Sequence, residues 1–257
     1  QTIAVTGFSQ KDGGSCTQLQ VAFVRGYAYS GTQKWSGYDW THAQAHGQNS
    51  SCADTRGRRV DIGEDGQLYF TGETAGGNTI YRYTPKVLTS SANNIKTDQF
   101  NDPYNTASNH ITYYARLNPS TGDIDRGQFN LTRLSSGKGN TIKPLGISAD
   151  ANGKVLVVGQ ANASIANRNS KTINGTPIGG YAGLDNFILQ TSQDFETREV
   201  MTTFTNGCRA KFTDVVSKQG VSVAVGHSTE SGCGMVTVSA IQGTTPGGTD
   251  GFLAVWG

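Results

Sequence analysis

The sequence is poor in charge. Only 16% of its 257 residues are Asp, Glu, Lys or Arg, against about 25% in an ordinary globular domain. Its 21 basic and 19 acidic side chains leave a formal net charge of +2, too weak a field to steer a polyanion, so nucleic acid is not an expected partner. No apolar run approaches the roughly 18 residues a membrane helix needs, so no membrane insertion is expected. Six prolines are too few for a collagen-like or polyproline chain. Nowhere does a 3.6-residue apolar period persist for three turns, so helices should be nearly absent. There is no G-x-S-x-G elbow, HExxH pair, Walker loop or EF-hand loop, and neither a cofactor nor a metal is expected. The chain opens on Gln1 with no basic-then-apolar leader, which reads as the start of a mature or trimmed chain.

Glycine is what the sequence has in excess: 34 of 257 residues, about twice the usual usage of roughly 7%. Four of them end similar segments, IAVTGFS (3–9), LYFTGET (68–74), VLVVGQA (155–161) and VAVGHS (223–228). Gly7, Gly72, Gly159 and Gly226 are therefore repeat positions. Three of the segments follow another apolar-alternating run: 58–67, 143–154 and 210–220. Asp65-Gly66 and Asn152-Gly153 are dipeptides that favour two-residue hairpin turns. A third element recurs as VAFVRGY (21–27), ITYYARL (111–117), DNFILQT (185–191) and DGFLAVW (250–256), and a weaker fourth at 33–40, 128–134 and 200–206. Four short strands per unit predict an all-β chain, a β-propeller of about four antiparallel blades. The blades fall at roughly 1–40, 55–135, 141–206 and 209–257, one domain over 1–257. The first blade lacks its first strand and the last its fourth, so fourteen strands are expected and the chain reads as part of a longer protein or as a partner in strand exchange.

The stretch Gly247-Gly248-Thr249-Asp250-Gly251-Phe252-Leu253-Ala254-Val255 resembles the GG-x-D-A-F-V-A pattern of SBBP-type β-propeller repeats, and Gly180 to Leu189 is a looser copy. Asp150 to Gly159 resembles that family's D-x-x-G-N-V-Y-V-T-G hairpin, whereas Val21 and Ile111 stand where units one and two would carry the Asp. The resemblance implies a propeller fold of secreted or surface proteins and assigns no activity.

Strand alternation places the long connections 10–19, 75–109, 162–184 and 229–249 on one face, the expected binding face. Cys16, Cys52, Cys208 and Cys233 also fall there. Of three possible pairings, Cys16–Cys52 and Cys208–Cys233 each close a local loop, and disulfides imply an oxidising, extracellular setting. Sequons stand at Asn49, Asn130, Asn162 and Asn174, about as many as chance supplies. Trp35, Tyr38 and Trp40, close to His42 and His46, are candidates for stacking on a sugar.

Phe8, Glu73, Gln160 and His227 each follow a repeat glycine and should surround the mouth of the ring. Asp214, counted back from its turn glycine, takes the place of the apolar Val60 and Ile147. Two functions follow as expectations. One is an extracellular, non-enzymatic module with a structural, adhesive or glycan-binding role, with carbohydrate or a copy of itself as partner. The alternative is a polysaccharide-acting hydrolase or lyase with Glu73, His227 or Asp214 at the channel mouth.

Overall fold

A computed structural model describes residues 2–11, 18–47, 53–77, 79–92, 94–96, 110–133, 139–231, 233–236, 240 and 248–257. Fourteen principal strands form four antiparallel sheets. Sheet I holds β1 (Ile3–Lys11), β2 (Leu19–Tyr27) and β3 (Gln33–Gly37). Sheet II holds β4 (Thr55–Ile62), β5 (Leu68–Thr74), β6 (Ile111–Leu117) and β7 (Ile124–Asn130), with Ile95–Lys96 added in parallel to β7. Sheet III holds β8 (Ile142–Ala149), β9 (Val155–Ala161), β10 (Asp185–Thr191) and β11 (Arg198–Thr202). Sheet IV holds β12 (Ala210–Lys218), β13 (Val221–Ser228) and β14 (Gly251–Trp256). The only α-helix among the described residues is the short α1 (His42–Gly47).

The repeat glycines set a common register. Gly7, Gly72, Gly159 and Gly226 pair with Phe23, Tyr113, Phe187 and Phe252 on the next strand. A Cβ on Gly7, Gly159 or Gly226 would lie within 3.0 Å of the facing Phe ring, so the missing side chain is what lets the aromatic lie flat across its neighbour. On this register β1 is a second strand, as the sequence predicts. Among the described residues, sheets I and IV have three principal strands each, where sheets II and III have four.

The hairpins differ from expectation. Gly63 donates to the Gln67 carbonyl, and Asp150 to that of Lys154. The connections are therefore three residues long, 64–66 and 151–153, not two. Gly66 and Gly153 take φ +79° and +74°, the left-handed position that follows a type I turn in such loops. The Asp65 and Asp150 carboxylates accept backbone N–H groups of their own turns. Only sheet IV closes on two residues, Gln219 and Gly220, both at positive φ.

Consecutive sheets pack face to face, the first strand of each against the second and third strands of the one before. One core runs through sheets I to III and includes the aromatic cluster Tyr38, Phe70, Tyr81, Tyr113 and Phe129. A second lies between sheets III and IV, where Leu156, Val158 and Ile188 meet Phe212 and Val215. Each such side chain contributes about 1.5–3 kcal/mol by leaving water.

Candidate functional site

The first strands β4, β8 and β12 converge, and glycine makes this possible. A Cβ on Gly146 would stand 2.8 Å from Asp214 Cα. Together with β1 these strands line an open cavity of about 460 Å³, bordered by Ala4–Thr6, Arg58–Asp61, Ile147 and Asp214–Val216. Two polar links cross between the sheets around it. Arg59 pairs with Asp214, joining sheets II and IV. Ser148 Oγ donates to Asp61 Oδ2 at 2.9 Å and accepts from Ser217 N at 3.1 Å, joining sheets II, III and IV. Burial raises the Asp61 pKa against the opposing effects of Ser148, the Ile62 N–H and Arg59. At the turn end, Glu64 accepts from Gln219 N.

Asp214 faces this cavity, but its expected equivalence to Val60 and Ile147 is corrected. It pairs with Val225, the residue before the repeat glycine, whereas Arg59 and Gly146 pair with the matching Thr71 and Val158. Val215 is the true counterpart of Val60 and Ile147. Counting from the turn glycine fails because the sheet IV turn is shorter.

Phe8, Glu73, Gln160 and His227 do occupy matching ladder positions, yet none lines the cavity. Glu73, 1% exposed, is held by Arg56 Nη1 at 2.8 Å, by Arg58 and by His110 Nδ1 at 3.3 Å. Burial alone would raise its pKa, but His110, Arg58 and Arg56 outweigh it and hold the carboxyl at about 2. A group so firmly ionised is a poor proton donor. His227 lies on sheet IV, its pKa lowered by burial and by Lys211. Of the three candidates, Glu73 is therefore locked by arginines on sheet II, Asp214 is paired with Arg59, and His227 stands on sheet IV opposite Lys211.

The aromatic candidates are also corrected. Trp35 is buried, its indole donating to the Pro119 carbonyl at 3.0 Å. Tyr38 is fully buried, its hydroxyl 2.9 Å from that of Tyr113. Trp40 packs half-buried against the same core. Trp35 and Tyr38 therefore fill the space between sheets I and II and offer no face to a sugar, whereas Trp40 keeps part of its ring exposed. His42 and His46 stack at 5.8 Å on α1.

Cys208 and Cys233 are disulfide-bonded and tie the start of β12 to the β13–β14 connection. Cys16, Cys52 and Asn49 lie outside the described residues. Asn130 is fully buried, its Oδ1 accepting from Arg198, so its sequon is closed in the folded chain. Asn162 is half-buried, whereas Asn174 is exposed at the tip of the Thr172–Pro177 ladder.

The sequence reading missed one buried centre. Arg168 donates to both Asp185 oxygens, at 2.6 and 2.9 Å, and to the carbonyls of Gly179, Gly180 and Thr205. Asp185 is the acid of the repeat motif, and Ile111 and Val21 fill its place on sheets II and I. Its partner lies in a loop that no strand pattern singles out. The chain matches no model of a known protein family, and no curated protein matches its sequence.

Proposed function

We propose that this chain is an extracellular, non-enzymatic scaffold of the β-propeller type, structural or adhesive in role, that holds a partner surface with its long-loop end. One observation carries the reading: the accessory structure collects at that end. The 3-10 turns Ile80–Arg82 and Arg168–Ser170 and the Thr172–Pro177 ladder lie in second-to-third-strand connections. The Thr205–Asn206/Gly234–Met235 ladder and the Cys208–Cys233 bridge tie such a connection to the entry of β12. A rigid sheet scaffold with elaborated loops at one end is the usual layout of a binding module. The Arg59–Asp214 and Glu64–Gln219 links across the first strands support sheets set about an axis, as does the SBBP-type motif. The bridge favours an oxidising compartment. Glu73 and Asp214, each held by arginine, weigh against hydrolysis.

The test is retention on arrays of glycans and matrix proteins, compared with a variant in which Ile173–Thr176 is replaced by two glycines. Retention should fall at least tenfold, while Glu64→Ala, at the opposite end, leaves it unchanged. Equal retention by the loop variant, or turnover of any retained polysaccharide, would overturn the reading.

A further inference from the structure

In an Asn-Gly dipeptide the side-chain amide lies next to a backbone nitrogen that no Cβ shields, because glycine lets other groups approach its backbone closely. The chain contains three, Asn152-Gly153, Asn174-Gly175 and Asn206-Gly207. The fold holds two of them fast. Gly153 N donates to the Asp150 carbonyl at 2.9 Å, and Gly207 N to the Gly180 carbonyl at 2.9 Å. Asn152 belongs to the loop that closes β8 onto β9, strands of eight and seven residues. Asn206 pairs with Gly234, and its Oδ1 lies where a Cβ on Gly179 would stand. Cys208, just beyond it, is disulfide-bonded.

Asn174-Gly175 has none of these restraints. Gly175 N donates no hydrogen bond among the described residues, and nothing stands within 4 Å of its Cβ position. Both residues are exposed. They join a ladder of only two pairs, Thr172 with Pro177 and Ile173 with Thr176. So short a hairpin offers little resistance to rotation at its tip.

We infer that Asn174-Gly175 is a self-modification site, at which the chain converts asparagine to aspartate and isoaspartate with water as the co-reactant. Gly175 N attacks Asn174 Cγ. The new N–Cγ bond forms, the Cγ–Nδ2 bond breaks, and the proton of the backbone N–H leaves with Nδ2 as ammonia. Water then opens the five-membered imide. Opening at the side-chain carbonyl leaves an ordinary aspartate. Opening at the backbone carbonyl leaves isoaspartate, whose main chain runs through the former side chain. Either product adds a negative charge at the end of the sheets where the accessory loops collect. Isoaspartate also adds a backbone atom to the turn, and a turn's length fixes the register of its ladder. The amide nitrogen is a weak nucleophile until deprotonated, so conversion quickens as pH rises.

The test is peptide mapping of the folded chain after incubation well below its melting temperature, at about pH 6 and about pH 9, with isoaspartate counted by enzymatic methylation. The peptide carrying Asn174 should gain the amide-to-acid mass at least tenfold faster than those carrying Asn152 or Asn206, and faster at the higher pH. In urea the three sites should convert at similar rates, since only the fold distinguishes them. Gly175→Asn tolerates the left-handed turn position but sets a side chain beside the attacking nitrogen. It should slow conversion of Asn174 at least tenfold and leave the rates at Asn152 and Asn206 as they are in the folded parent. A rise at those two sites would show that the variant unfolds, and the comparison of folded with urea-treated parent then decides. Equal conversion of the three sites in the folded parent, faster conversion at Asn152 or Asn206, or a rate at Asn174 indifferent to Gly175→Asn in the folded variant would overturn the assignment.

Discussion

Arg168 and Asp185 form a two-pronged ion pair in which neither side chain is more than 1% exposed. Nη1 also donates to the Gly179 carbonyl and Nη2 to those of Gly180 and Thr205, and Thr205 Oγ1 donates to Asp185. The pair anchors the 162–184 connection to the start of β10 and to the strand leading into sheet IV. Removing one partner leaves a buried charge without compensation. Arg168→Leu should therefore cost about 3–5 kcal/mol, measured by urea unfolding. Arg168→Leu with Asp185→Leu should cost less than the sum of the single changes. Additive losses would show that the two side chains act independently.

Glu73 predicts a pH dependence. Its folded pKa of about 2 lies below the ordinary 4.5, so the folded state binds this proton less readily than the unfolded one. The resulting stabilisation is complete above about pH 5 and is lost as pH falls towards 2. At most it is worth about 3 kcal/mol. Glu73→Gln should be less stable than the parent at pH 7, and the gap should narrow on acidification between these limits. Urea unfolding at several pH values checks this; a constant gap would contradict the arginine-locked carboxylate.

Much of this architecture is legible in the sequence, because the repeat glycines have a local cause. An aromatic lying across a glycine fixes both partners, so Gly159 and Phe187 are readable as strand positions. Asp214 was misplaced because a turn glycine marks the end of a hairpin without giving the length of its loop. Trp35 and Tyr38 were misread for a different reason: alternation says that a strand has two faces, not which of them another sheet covers. Arg168 left no signal, since its partners lie 11 to 37 residues away.

The Cys208–Cys233 bridge spans 25 residues of sequence. On a chain-entropy account, closing such a loop stabilises the fold by about 3.5 kcal/mol. Replacing both cysteines by alanine should lower the melting temperature by roughly 5–15 °C at this chain length. The pairing is checked by peptide mapping without reduction, which should yield one fragment containing both residues. Their recovery as separate free thiols would contradict it.

Gly57 tests the contact between sheets I and II. A Cβ there would stand 2.8 Å from the Gly7 carbonyl and would overlap the Thr6 hydroxyl, so the absence of a side chain permits β1 to lie against β4. Gly57→Val must push β1 outwards or bend β4, and such overpacking costs about 1–3 kcal/mol. Gly31→Ala is the control for glycine replacement as such. Nothing lies within 4 Å of its Cβ position, and its φ of +85° confines the cost to the local backbone. Equal stability of Gly57→Val and the parent would mean that the sheets are not held as closely as the glycine allows.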